Sequence, residues 1–236
     1  MSDISTKPTL PSNTTYFISL KNQAPDRTIS FAIYQELPNL PPGFQIIAWL
    51  QADVPPDAES VVTFNRGEYN VAVVDYHDET GVGLYKSSQI LFAKIGQIWE
   101  LIEKKGVQQY NKENVISTNK QEITISLHEA NLAIGESNKI AIVHKKIKKD
   151  DSTTFKLPNQ YYVGIFYDLV IGQGISSDIC HLSKRLDLNT ETNHYIVTAK
   201  FDIVTSKLSL EIESGERFEI PKEDNDNDRN EKVSKL

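Results

Sequence analysis

The feature that most constrains this chain is an alternation of apolar and polar residues that recurs from one end of its body to the other. Ile123, Ile125 and Leu127 fall on one side of EITISL, and Leu208, Leu210 and Ile212 on one side of KLSLEIE. Tyr195, Val197, Ala199, Phe201 and Ile203 do the same in HYIVTAKFDIV. A period of two places alternate side chains on opposite faces of a sheet, so each segment reads as a half-buried strand. Tyr16–Leu20 and Ser30–Gln35 read as an opening strand pair joined across NQAPDR (Asn22–Arg27), where Pro25 and Asp26 supply turn chemistry. IWELIEKKGVQQY (Ile98–Tyr110) reads as a hairpin turning at Lys104, Lys105 and Gly106. Helix signals are sparse. The best is Ser87–Trp99, where Ser88 is placed to cap a short helix, although Gly96 weakens it and the segment reads equally well as strand. The expected class is all-β: an antiparallel β-sandwich with few or no helices.

A second pattern is internal. VTFNRGEYNVAVVDYHDETGVGLYKSS (Val62–Ser88) runs alongside TTFKLPNQYYVGIFYDLVIGQGISS (Thr153–Ser177). Thr63-Phe64 answers to Thr154-Phe155, Tyr69-x-Val71-x-Val73 to Tyr161-x-Val163-x-Ile165, Gly81-x-Gly83 to Gly172-x-Gly174, and Ser87-Ser88 to Ser176-Ser177. Phe64 and Phe155, like Gly81 and Gly172, lie about 91 positions apart, which suggests a β unit of roughly 90 residues used twice. The expected layout is a flexible arm at 1–13, a first β unit at 14–118, a second at 119–220 and a disordered acidic tail at 221–236. The repeat also decides how to read the glycines. A dinucleotide fingerprint needs a third glycine at the mouth of a helix, whereas Ser177 and Lys86 hold that position and both copies run on into strand-like sequence. Glycines that permit a positive φ or a bulge at a sheet corner are the expectation instead.

Composition closes off several chemistries. The one cysteine, Cys180, rules out an internal disulfide and leaves no cysteine cluster for a metal. A net charge of −7 disfavours nucleic acid and anionic membranes as partners, because phosphate affinity needs an excess of Lys and Arg on one face. The dense basic run HKKIKKDD (His144–Asp151) reads as a solvated hairpin tip. No segment approaches 18 uninterrupted apolar residues and no leader pattern opens the chain, so a cytoplasmic protein without a membrane span is expected.

Candidate sites are few. Histidines 77, 128, 144, 181 and 194 show neither the His-x-x-x-His nor the His-x-His spacing of a metal site. Cys180-His181 has the look of a nucleophile beside its base, yet neighbours in an extended chain point to opposite faces. Asp75, Asp78 and Glu79 surround His77 in a stretch read as a solvated turn, with weak cation binding or hydrolysis as lesser readings. Asp224, Asp226 and Asp228 start an EF-hand spacing that Arg229 and Lys235 then break. No catalytic residue, cofactor or metal is assigned. The aromatic strand YYVGIFYD (Tyr161–Asp168) carries bulky residues on both faces, so it is either central and covered on both sides or in part an interface.

Four stretches together, SFAIYQELP (Ser30–Pro38), AWLQADVP (Ala48–Pro55), GVQQ (Gly106–Gln109) and YVGIFYDLVIGQGISS (Tyr162–Ser177), resemble a group of small, β-rich, mostly bacterial proteins with no activity attached. The resemblance spans about residues 15 to 212 and implies a fold without implying chemistry. The leading expectation is a non-enzymatic protein acting by self-association, as a homo-oligomer or with another protein, through Tyr161, Tyr162, Phe166 and Tyr167. The alternative is a lectin-like module binding carbohydrate on Trp49, Tyr69, Tyr76, Tyr161 or Tyr162.

Overall fold

The computed structural model describes residues 14–36, 40–79, 82–95, 97–104, 107–116, 122–126, 130–147, 152–156, 160–176, 179–189 and 191–218. Strands make up four sheets, and no helix occurs among these residues. The first sheet has the order β17-β16-β1-β5, with β1 Thr15–Gln23, β5 Glu59–Asn65, β16 His194–Asp202 and β17 Lys207–Ser214. The second runs β15-β14-β2-β4, with β2 Ile29–Glu36, β4 Leu50–Val54, β14 Gln160–Phe166 and β15 Cys180–Leu186. The third runs β3-β12-β11-β6-β7, with β3 Phe44–Ile46, β6 Tyr69–Glu79, β7 Val82–Phe92, β11 Ala130–Glu136 and β12 Ile142–Ile147. The fourth runs β13-β10-β8-β9, with β8 Gln97–Lys104, β9 Val107–Ile116, β10 Glu122–Ser126 and β13 Ser152–Lys156. The all-β class holds, in four sheets, although the pairs β1–β16 and β8–β10 are parallel rather than antiparallel. The arm at 1–13 and the tail from 219 onward, with its acidic spacing, lie outside the described residues.

Three local readings change. Ser87–Trp99 is no helix: β7 continues to Phe92 against β6, and β8 starts at Gln97 against β9. The opening strands do not pair, because β1 and β2 stand in different sheets and the chain arches between them. Asn22, fully buried, holds that arch, donating through Nδ2 to the carbonyls of Arg27 and Val54 at 2.8 Å each and accepting from the Ala24 amide at 2.8 Å. Of the basic run, His144–Ile147 belongs to β12, which pairs with β11 and β3 rather than with β13, and 148–151 lie outside the described residues. β8 and β9 pair antiparallel with Lys104 opposite Val107, and the turn residues Lys105 and Gly106 lie outside the described residues.

The sheets correspond in pairs. Read as β17-β16-β1-β5 and β9-β8-β10-β13, the first and fourth sheets share strand order and the sense of every pairing. The second sheet, β15-β14-β2-β4, matches β7-β6-β11-β12 of the third in the same way. Registers agree as well. Ile18 lies between Val62 on an antiparallel neighbour and Tyr195 on a parallel one, as Ile125 lies between Thr153 and Trp99. A register shift falls between Ile165 and Phe166 in β14 and between Val73 and Val74 in β6. Every sheet therefore takes strands from both 14–118 and 119–220, so the two ranges interleave. One feature breaks the match: β3 pairs with the outer edge of β12, whereas the corresponding edge of β4 carries no strand among the described residues.

One apolar core draws on all four sheets, from Ile18 and Leu20 through Phe31, Val163 and Val197 to Val71, Ile134, Trp99 and Phe155. At its centre aromatic rings pack in series: Tyr16 on Phe64 at 5.5 Å, Phe64 on Tyr161 at 5.4 Å and Trp49 edge-on to Phe64 at 4.8 Å. Against them sits Glu136, with no solvent exposure. Its Oε2 accepts from Tyr161 Oη at 2.7 Å and Gln35 Nε2 at 2.8 Å, its Oε1 from the Gly67 amide at 3.1 Å, and its carbonyl from Trp49 Nε1 at 3.2 Å. The Arg66 guanidinium stands 5.9 Å over the Tyr161 ring. Gln35 and Glu136 occupy corresponding places, opposite Tyr161 and Tyr69 in matching ladders, so the polar contact marks where the two halves of the pattern meet.

Burial holds the Glu136 carboxyl above the ordinary carboxylate range, while the Tyr161 hydroxyl, the Gly67 amide, Arg66 and Gln35 pull in the other direction. A carboxyl with a folded pKa above its unfolded value, about 4.3, favours the fold below that value and loses the contribution as pH rises through the folded one. The advantage of Glu136→Gln over the wild type in urea denaturation is therefore expected to grow as pH is raised from about 4 to about 8. Glu136→Leu, which strands the Tyr161, Gln35 and Gly67 donors, is expected to cost about 3–5 kcal/mol, and a loss below about 1 kcal/mol would remove the carboxylate from its central role.

Candidate functional site

The glycine pair of the aromatic strand lies in a crossing loop. After β14 the chain runs over the third sheet, where Gln173 and Gly174 form isolated bridges to Leu84 and Ile47. The Ala48 amide donates to the Gln173 carbonyl and the Ile175 amide to the Ile46 carbonyl, both at 2.9 Å. Gly172 has φ of +89°, and a Cβ there would stand 2.7 Å from the Tyr85 carbonyl oxygen. A side chain would separate the loop from β7, so glycine serves close backbone approach. The Tyr85 amide completes the contact by donating to the Gly172 carbonyl at 2.9 Å.

This crossing carries apolar side chains into solvent. Tyr167 is 58% exposed, Val170 42% and Ile171 59%. Tyr76, 54% exposed on β6, lies with its ring 5.3 Å from that of Tyr85 and so extends the strip past Gly172. Ile171 borders two hollows. One, about 320 Å³, lies between Tyr85, Lys86, Asn138 and Lys139; the other, about 350 Å³, lies between Leu169–Ile171 and Gln51–Asp53 of β4. An exposed apolar strip with concave flanks is a surface suited to contact another molecule.

The seven aromatic residues singled out in the sequence divide sharply. Trp49, Tyr161 and Phe166 are buried, Tyr69 and Tyr162 half-buried, and Tyr76 and Tyr167 exposed. β14 is central, flanked by β2 and β15, with Val163 and Ile165 in the main core and Tyr162 stacked on Tyr34 at 5.6 Å on the other face. Tyr161 is thus a core hydroxyl serving Glu136. Its phenol is pushed far up by burial and by the adjacent carboxylate.

The chemical candidates lie apart. Asp75, His77 and Asp78 belong to β6 rather than to a turn, and alternation puts Asp75 and His77 on one face and Asp78 on the other. His144 stacks on Phe44 at 4.2 Å, His181 Nδ1 meets Tyr167 Oη at 2.8 Å, and His194 Nε2 meets Ser19 Oγ at 3.0 Å. His128 is outside the described residues. Among the described residues no group of three or more His, Cys, Asp or Glu is arranged to hold a metal ion, and no helix is long and apolar enough to cross a membrane. Cys180 and His181 are consecutive on β15, with the thiol half-buried and the imidazole side chain exposed. Burial pushes the Cys180 thiol up, leaving less thiolate at neutral pH. Alkylation of Cys180 by iodoacetamide at pH 7 is accordingly expected to run about tenfold slower than in the urea-unfolded chain, and equal rates would contradict the buried setting.

Sequence reasoning passed over Glu136 and Gln35. The signal was there: Leu132, Ile134 and Glu136 alternate on one face, as Phe31, Ile33 and Gln35 do, each inward series ending on a polar residue.

No curated protein and no solved structure matches the chain. The model of the family described as RhiA matches residues 13–207. That span covers most of the body from the start of β1 to the start of β17, and the chain belongs to the RhiA family.

Proposed function

We propose that this chain is a non-enzymatic protein of the cytoplasm, built from a duplicated β unit, that acts by self-association through the strip formed by Tyr167, Val170 and Ile171. The exposure of three apolar residues on a loop tied down at both ends by backbone hydrogen bonds carries the reading. A surface held rigidly loses little conformational freedom on binding, so its apolar area counts toward association rather than toward ordering. The matching registers of paired sheets support the duplication, and a net charge of −7 disfavours nucleic acid as the partner. Light scattering after size exclusion at tens of micromolar is expected to give a dimer or larger species, and Val170→Asp with Ile171→Asp to shift it to monomer with unchanged circular dichroism. A strict monomer for the wild type would end this reading.

One observation favours a second reading. Tyr76 presents an exposed ring on the face of β6 that it shares with Asp78, a stacking platform with a carboxylate acceptor for sugar hydroxyls two residues on. Binding on a glycan array that disappears in Tyr76→Ala is the expected outcome under that reading, and an array blank for the wild type would dismiss it.

A further inference from the structure

The one mismatch between the corresponding sheets locates a docking edge. β12 is closed on its outer side by β3, which pairs antiparallel as Ile142–Ile46, Val143–Gln45 and His144–Phe44. Its counterpart β4 pairs with β2 on one side and, among the described residues, ends its sheet on the other. Edge strands in soluble proteins are protected by lysine, proline, bulges or a covering segment. β15, at the opposite edge of the same sheet, has Lys184, Arg185 and a register shift. β4, reading LQADV, has no lysine, proline or register shift, and its one charge, Asp53, turns back to accept from Ser30 Oγ at 2.6 Å.

We infer that β4 is the strand through which two copies of this chain pair, antiparallel about a twofold axis at Ala52. The inference rests on the self-association reading and names its central contact. The antiparallel sense is the one in which β3 adds to β12. Centred on Ala52, the pairing sets Leu50 opposite Val54 and Gln51 opposite Asp53, so the strand complements itself and no two carboxylates face each other. The hollow between Gln51–Asp53 and Leu169–Ile171 joins this edge to the apolar strip, making one continuous surface for a second copy. The chain's own ends do not suit the position: residues 1–13 contain two prolines and no alternation, and 219–236 is dominated by charge.

The test exploits the facing of Gln51 and Asp53. Gln51→Asp places like charges opposite one another twice per dimer, and Gln51→Lys places opposite charges there. Both variants remove the 2.6 Å hydrogen bond from Gln51 Nε2 to the Leu169 carbonyl, so a merely structural role of Gln51 moves both in one direction. The dimer dissociation constant from sedimentation equilibrium of the full chain is expected to rise about five- to tenfold in Gln51→Asp and to fall in Gln51→Lys. The same two substitutions at Val204, 93% exposed on the β16–β17 turn, correct for overall charge and are expected to leave the constant within about twofold. Shifts of the same sign in both Gln51 variants, or shifts no larger than at Val204, overturn the edge pairing. A dimer lost in Ile171→Asp but indifferent to either Gln51 charge overturns the edge and keeps the self-association reading, whereas a monomeric wild type overturns both.

Discussion

A carboxylate removed from water is the point on which this fold turns. Glu136 closes the inward face of β11, and four groups from separate parts of the chain converge on its atoms: Gln35 from β2, Trp49 from just before β4, Gly67 from the turn before β6, and Tyr161 from β14. Burying an acid costs free energy unless its oxygens are satisfied. Each partner is therefore held to a position, and the strands that carry them are held with it. Apolar packing in the rest of the core is tolerant of small shifts, but hydrogen bonds of 2.7–3.1 Å to a buried oxygen are not. The knot helps set the relation between sheets, together with the Asn22 bond from β1 to the Val54 carbonyl of β4 and the Ser137 bonds to Asn65 of β5.

Its position is also where the two corresponding halves of the topology meet. Gln35 and Glu136 play the same part in matching ladders, yet one is an amide and the other an acid. Two acids there would repel and two amides would leave the Tyr161 hydroxyl a weaker acceptor, so a neutral donor against an acid is the combination that satisfies both. The outer edge shows the same divergence. β3 completes β12, the segment between β11 and β12 is too short to do so for β4, and the aromatic loop from 167 to 176 crosses the neighbouring face instead.

Much of the architecture can be read from alternation alone, because a half-buried strand must segregate its side chains. β10, β16 and β17 fall where the apolar period places them, and β8 pairs antiparallel with β9. Alternation does not say which strand lies beside which. Nothing local tells β1 that its neighbours are β5 and β16 rather than β2, since that choice is made by burial of Asn22 in the arch and of Ile18 and Leu20 in the core. The bulky residues on both faces of β14 left a covered strand and an interface open as readings, while the acid that Tyr161 serves sits 25 positions earlier, at the end of β11, marked only by its place in an alternating apolar series. The exposed strip was equally hard to see, because DLVIGQG has the composition of a buried segment and reaches solvent only by being pinned across another sheet.

The parallel pairing of β1 with β16 joins nearly opposite ends of the described chain. During synthesis from the N-terminus, β1 and β2 leave the ribosome long before β14 and β16 exist, and loop-closure entropy delays pairings of such separation. Nascent β1 and β2 must wait with their apolar faces open, which exposes this protein to chaperone capture and to mispairing between neighbouring polysome-borne chains until β16 has been made.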